Sequence, residues 1–229
     1  VTIYRESSGR GVGIWKTIDG GETWGLLSST EDFAYVTDVV VRYEAGSSII
    51  YAGVVSGVYY GTHESFPSDG LYRSADGGIS WEQVLPNIFG GSIPYAPSDI
   101  EIGADGRIFV GTMKNMDGEG GASILYSDSG LSGSWTIFDH YQNIIEGDNA
   151  YNIPGRVVLA SAPSDENIVY AVMGSGYLNQ YGFNYSYGNY ILRSTNKGLT
   201  WQERNTPEDY SDHSWATLAW HALSITVDP

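Results

Sequence analysis

The side chains able to do chemistry in this 229-residue chain are carboxylates and aromatics, because it contains no cysteine. Thiol catalysis, disulfides and thiolate–metal sites are therefore excluded. Carboxylates fall repeatedly in variable segments: Asp32, Glu64, Asp117, Glu119, Glu146, Asp148, Glu208, Asp209 and Asp212. Two such groups flanking a glycosidic bond, one as acid and one as base or nucleophile, are the usual requirement for its hydrolysis. With this many acids some pair falls at a suitable distance by chance, so the residues select no pair. Glu64, Asp117, Glu146, Asp148 and Asp212 are the candidates carried forward.

The same segments hold Tyr59, Tyr60, His63, Tyr177, Tyr181, Phe183, Tyr185, Tyr187, Trp215, Trp220 and His221. Aromatic faces stack on sugar rings while phenol and amide groups bond to hydroxyls, so these are candidate ligand-binding residues. The alternative is that they pack loop against loop or meet a neighbouring domain. Metal chemistry is weakly encoded. The segment "NMDGEGG" at 115–121 alternates oxygen ligands but lacks the full calcium-loop spacing and its terminal Glu. No metal site is assigned, and Ca2+ is the one ion that segment would suit. His213 and His221 flank Trp215 and Trp220, but their spacing of eight residues in a loop is no ligand signature.

The elements that must position these groups are strands. Helix-forming mixtures of Ala, Leu, Glu and Lys are scarce, whereas 18 tyrosines and 30 glycines alternate with Val, Ile and Thr runs. The net charge of −16, with only 11 Lys and Arg scattered through the chain, argues against nucleic acid and anionic membranes as partners. No apolar run reaches the length of a membrane span.

Self-similarity organises the chain. "KTIDGGETW" at 16–24 returns as "RSADGGISW" at 73–81, as "YSDSGLSGSW" at 126–135 and as "RSTNKGLTW" at 193–201. Its closing tryptophans, Trp24, Trp81, Trp135 and Trp201, are 57, 54 and 66 residues apart. Each unit begins with an alternating strand: "DVVVR" at 38–42, "DIEIG" at 99–103, "RVVLA" at 156–160 and "ALSITV" at 222–227. A second strand follows, then a variable loop, a third strand, the repeated turn and a fourth strand. Four antiparallel strands in 50–60 residues predict an all-β fold, a β-propeller present as three full blades plus two partial ones. The blade pieces are expected at about 1–28, 29–86, 87–139, 140–204 and 205–229. Three blades cannot close a ring, so further blades and domains of a longer chain are expected partners.

The pattern Ser/Thr-x-Asp-x-Gly-x-Thr/Ser-Trp resembles the Asp-box, or BNR repeat. It is carried by Thr17, Asp19, Gly21, Thr23 and Trp24, and by Ser74, Asp76, Gly78, Ser80 and Trp81. A third copy, Ser194, Asn196, Gly198, Thr200 and Trp201, has Asn in place of Asp. The family's members include sialidases, xyloglucanase-type glycoside hydrolases and sortilin-like receptors. The resemblance implies a structural role for these residues. The Asp accepts backbone N–H bonds of its own turn, glycine supplies positive φ, and Trp fills the gap beside the next sheet. No Arg-Ile-Pro motif is present, which disfavours a sialidase, and the absence of cysteine disfavours a sortilin-type receptor.

In a propeller the repeated turns share one face with the turns joining first and second strands. The variable loops share the other. The expected function is therefore a secreted or cell-surface module that binds a glycan or protein ligand through its loop-rich face. The alternative is a xyloglucanase-like, endo-acting glycoside hydrolase using paired carboxylates. Phrases such as "HALSITVDP" resemble large secreted or surface proteins of Bacteroidetes-type bacteria. That likeness implies location outside the cell or on its outer surface, with a type IX sorting domain lying beyond this segment.

Overall fold

The structure, a computed structural model, describes residues 10–59, 62–64, 68–148, 152–178, 184–207, 219 and 223–228. Strands β1 (Trp15–Lys16) and β2 (Gly25–Leu26) form a two-stranded piece. The first full sheet contains β3 (Val36–Glu44) and β4 (Ser47–Val54). A separate ribbon of β5 (Gly57–Tyr59) and β6 (Thr62–Glu64) then precedes the sheet's last strands, β7 (Gly70–Ser74) and β8 (Glu82–Gln83). The second sheet is β9 (Ala96–Ile102), β10 (Ile108–Met113), β11 (Ile124–Ser127) and β12 (Thr136–Phe138). Helix α1 (His140–Asp148) leads into the third: β13 (Asn152–Ser161), β14 (Val169–Leu178), β15 (Asn184–Ser194) and β16 (Gln202–Arg204). Every pairing among the described strands is antiparallel, and each four-stranded sheet follows chain order, with the β5–β6 ribbon inserted between β4 and β7; this is the blade of a β-propeller.

Three elements differ from the sequence expectation. The described parts of the aromatic stretch 173–190, expected as a loop, are strand: β14 pairs out to Leu178 and β15 begins at Asn184. Of the stretch 139–156, also expected as a loop, residues 140–148 form α1 and residues 152–156 begin β13. α1 is held by burial of Tyr141 and Ile145 among residues of the second and third sheets, and by Gln142, whose Oε1 accepts from Ser123 Oγ (3.1 Å). Of the strand expected at 222–227, the described residues 223–227 pair with no strand among the described residues, but Leu223 and Ile225 pack on Val158 and Val172.

The second strand of each sheet is buried on both sides, which is why it reads as a continuous apolar run. Along β10, Ile108 and Val110 face the first sheet's Ile49, Tyr51 and Leu71, while Phe109 faces the third sheet's Leu159, Met173 and Leu192. Adjacent blades consequently approach closely, and the repeated turns accommodate this with glycine. A Cβ on Gly198 would lie 2.6 Å from Phe109 Cε1, and one on Gly78 2.6 Å from Leu27 Cδ1. A Cβ on Gly130 would collide with the Tyr51 hydroxyl. Each glycine also has positive φ: 78°, 95° and 68° respectively. Trp81, Trp135 and Trp201 pack beside the preceding sheet, not the next, because their turns lean backwards onto it. Trp81 meets Phe33 edge-on at 5.5 Å and donates its Nε1–H to Ser29 Oγ (3.1 Å).

Inner strands are tied by side chains. Thr37 Oγ1 donates to Pro97 O (3.0 Å), and Asp38 Oδ2 accepts from Ile100 N–H (3.0 Å). One blade on, Ser98 Oγ donates to Val157 O (2.6 Å) and Asp99 Oδ2 accepts from Leu159 N–H (2.6 Å). Glu101 Oε1 then accepts from Ser161 N–H (3.0 Å) and Ser161 Oγ (2.6 Å). On the turn face, cations lace neighbouring blades. Arg42 donates to Gly106 O, Asp128 O and Ser129 O. Arg107 donates to Lys197 O (2.7 Å), and Lys197 pairs with Asp105 (3.1 Å) and Glu166 (2.7 Å).

Two predictions follow from these contacts. Gly198→Ala adds a clash with Phe109 to the cost of a left-handed alanine, and should lower unfolding stability by about 2–4 kcal/mol. Gly20→Ala has the same sign of φ but open space around it, so it should cost only about 1 kcal/mol. Equal losses in urea unfolding would refute the inter-blade role. The second concerns Asp99, whose carboxyl burial pushes up to about 6, against the pull of the Leu159 N–H and with help from Asp38 and Glu101. The folded chain then holds this proton more tightly than the unfolded chain, so stability declines as pH rises from about 4 to about 6. Asp99→Asn keeps an acceptor for Leu159 and should raise stability at pH 7.5 by up to about 3 kcal/mol, with almost no gain at pH 4. A gain independent of pH would contradict this.

Candidate ligand-binding face

The repeated turns are closed by their own hydroxyls and acids. Asp76 Oδ1 accepts from Ser74 Oγ (2.8 Å) and Ser80 N–H (2.9 Å), and Oδ2 accepts from Ser80 Oγ (2.5 Å). Gly78 N–H donates to Ser74 Oγ (2.8 Å). Asp19 has the same arrangement with Thr17 and Thr23, and Gly21 N–H donates to Thr17 Oγ1 (2.9 Å). Hydrogen bonds from Thr23 and Ser80 hold the Asp19 and Asp76 carboxyls well below the usual carboxylate range. Their contribution to folding is therefore present above about pH 4 and is lost only as acid titrates the folded turn. Asn196 keeps the geometry without charge: Oδ1 accepts from Ser194 Oγ (3.0 Å) and Thr200 N–H (2.9 Å), and Nδ2 donates to Thr200 Oγ1 (2.8 Å). In the degenerate copy Ser127 and Ser134 hydroxyls bond directly at 2.6 Å, and Asp128 pairs instead with Arg107 (2.6 Å). A carboxylate with both oxygens engaged by its own turn is a poor acid, base or metal ligand. Trp24 is exposed, whereas Trp81 and Trp201 are half-buried.

The opposite face carries the other candidates. Two ribbons rise from the same place in the repeat, between second and third strands. In the first sheet β5 pairs with β6, setting Tyr59 opposite Thr62, Val58 opposite His63 and Gly57 opposite Glu64. In the third, the extended β14–β15 hairpin sets Tyr177 opposite Tyr185 and Ser175 opposite Tyr187. With a period of two, Tyr177, Tyr185 and Tyr187 occupy positions on one face of that ribbon. The second sheet has no ribbon. Its connection is a compact turn in which buried Asn115 accepts Asp117 N–H and Glu119 N–H at 2.9 Å each through Oδ1. That oxygen is thereby used within the turn, and Asp117 and Glu119 are exposed. Among the described residues no three His, Asp or Glu assemble as a metal site.

Glu146 is exposed on α1, where Oε1 accepts from Gln142 Nε2 at 3.5 Å, and Asp148 ends the same helix. Tyr141 of α1 donates to Glu203 (2.9 Å) and lies 4.6 Å from Tyr190, ring to ring. Tyr60, Tyr181, Phe183, Asp212, Trp215, Trp220 and His221 lie outside the described residues.

Sequence reasoning missed two features. One is Phe89, in the segment connecting the first and second sheets on this face: it is 68% exposed with φ 41° and ψ 36°. Nothing in "NIFGGS" distinguishes it from an ordinary loop aromatic. The other is a cavity of about 450 Å3 at the turn-face end of the inner strands, lined by Glu101, Leu159, Ser161, Ile225 and Val227 among others. The alternation of β9 carries Glu101 to its wall, a placement visible in sequence only once blades are aligned.

No protein-family model matches the chain. It is 27% identical over 207 residues to a xyloglucanase of a Paenibacillus species, an alignment spanning 83% of this chain and 18% of that enzyme. Among solved structures it is similar to the GH74 enzyme of Niastella koreensis, with 20% identity and a TM-score of 0.50. That match covers 83% of this chain and 26% of the Niastella enzyme, so the chain spans about a fifth to a quarter of the proteins it resembles. No described helix is long and apolar enough to cross a membrane. Sequence and fold together make this chain a β-propeller, similar to parts of these two glycoside-hydrolase propellers.

Proposed function

We propose that this chain is part of an exported bacterial protein, outside the cell or on its outer surface, whose ribbon-bearing face binds a polysaccharide. The observation that carries the reading is the pair of tyrosine-bearing ribbons on the first and third sheets, with the compact Asn115 turn of the second sheet between them. A polymer laid across three blades would meet aromatic positions on both sides of a low floor. Tyrosine suits this contact because its ring stacks on a pyranose face while its hydroxyl stays wet. A net charge of −16 favours a neutral ligand over a polyanion. The further blades needed to close the ring belong, in this reading, to the same longer protein. The repeated turns act as Asp-boxes that hold blades together and take no part in binding.

A second reading, glycoside hydrolysis of a β-glucan polymer by two carboxylates, is favoured by the similarity to the Paenibacillus xyloglucanase. Its candidate acids would be Glu64, Asp117, Glu146, Asp148 and Asp212, with the partner acid supplied by this chain or by the rest of the protein.

Affinity electrophoresis in gels containing xyloglucan, barley β-glucan or arabinoxylan tests the binding reading. Retardation is expected in at least one gel, and Tyr185→Ala combined with Tyr187→Ala should weaken it about tenfold, the loss of roughly 1.4 kcal/mol of stacking. No retardation in any gel would sink the proposal. Release of reducing ends by the full-length protein, abolished by Glu→Gln or Asp→Asn at a candidate acid, would move the assignment to the hydrolase.

A further inference from the structure

The segment between the first and second sheets places one aromatic where two physical costs coincide. Phe89 sits in the left-handed region (φ 41°, ψ 36°), which crowds the Cβ of a bulky side chain against the following carbonyl. Its ring is also 68% exposed, so burial returns nothing for that strain. Gly90 and Gly91 follow directly, and glycine is the residue that would adopt this conformation freely, yet it does not stand at position 89.

The neighbouring backbone holds Phe89 in this state. Gly91 N–H donates to Ile88 O (2.7 Å), Ile88 N–H donates to Ile93 O (3.0 Å), and Asn87 Nδ2 donates to Gly91 O (2.8 Å). Asn87 and Pro94 bridge across the base of the loop. Ile88 is buried and stands against Gly120, in the compact turn of the second sheet, where a Cβ would come within 2.6 Å of Ile88 Cδ1. The loop is therefore anchored by Ile88 to the floor between the two ribbons. Phe89, the next residue, is turned outwards by its left-handed backbone. Strained conformations that persist because their surroundings over-determine them concentrate at functional sites.

We infer that Phe89 is a stacking platform for a sugar ring of a bound polysaccharide, set beside the floor that separates the two tyrosine ribbons. The inference rests on the proposed binding face. It adds to that face an aromatic contributed by an inter-blade loop. A flat exposed ring with no aromatic neighbour among the described residues offers its face to a pyranose, and a preorganised loop loses little entropy on binding.

The test uses Phe89→Gly and Phe89→Trp, with thermal unfolding and affinity electrophoresis against soluble xyloglucan and barley β-glucan. Phe89→Gly should raise the unfolding midpoint by roughly 2–4 °C, because it removes the left-handed strain. It should also weaken retention about tenfold, while Phe89→Trp retains binding. A lowered midpoint for Phe89→Gly would show that the ring supports the fold and would overturn the inference. Undiminished retention of Phe89→Gly, in gels that retard the unaltered chain, would overturn it while leaving the binding face intact. An unaltered chain retarded by neither glycan overturns the inference, and one that arabinoxylan does not retard either overturns the binding face as well.

Discussion

Everything in this molecule depends on the close approach of successive sheets at their second strands. A strand buried on both faces must find a packed partner on each side, so each sheet is stable only with its neighbours. Phe109 can reach the third sheet only because the turn arriving opposite it carries Gly198, and Tyr51 meets Gly130 in the same way one blade earlier. The hydroxyl that opens each turn, Ser74, Ser127 or Ser194, accepts the N–H of its own glycine, Gly78, Gly130 or Gly198, and so aims the gap at the side chain opposite, Leu27, Tyr51 or Phe109. The repeated turn thus has one mechanical task, which explains why its acid is dispensable. Asn196 preserves the turn without charge, and the Ser127–Ser134 bond preserves it without any carboxamide.

The same constraint divides the charged groups between the two faces. Asp19 and Asp76 are consumed as acceptors within their turns, and Asp38, Asp99 and Glu101 as ties between inner strands. Arg42, Arg107 and Lys197 cross from blade to blade on the turn face. A chain with only 11 Lys and Arg commits three of them to this lacing. The face on which the repeated turns lie is therefore occupied by its own hydrogen bonds. The opposite face keeps Asp117, Glu119 and Glu146 exposed and raises its two ribbons.

The sequence made the blades legible because alternation, a doubly buried second strand and a Trp-closed turn recur at nearly constant spacing. "GLYRS" is β7 residue for residue. What it hid has physical causes. The β14–β15 extension is built from Gly, Tyr, Asn and Ser in a stretch with no apolar alternation, so no period of two announces a strand there. Helix α1 is nine residues long and contains Gly147, too short and too poor in helix formers for a periodic signal. It exists because Tyr141 and Ile145 have the third sheet to pack on. The raised carboxyl of Asp99 was equally invisible, since "DIEIG" does not say that another inner strand will cover it.

Phe89 marks the limit of reading by composition. An aromatic in a Gly-rich loop is ordinary in sequence, and only the backbone angle distinguishes a ring displayed at a cost from one left over. Its neighbour Ile88 has the opposite environment, buried against the second sheet's compact turn. One residue anchors, the next projects, and the loop closes through Asn87 and Gly91. Had the chain needed only to connect β8 to β9, glycine at position 89 would have removed both the strain and the exposed apolar surface. The ribbons likewise add strand pairing that the four-stranded sheets do not need in order to pair among themselves. Phe89 and the two ribbons stand on the face opposite the repeated turns, and it is on that placement that the proposed binding function rests.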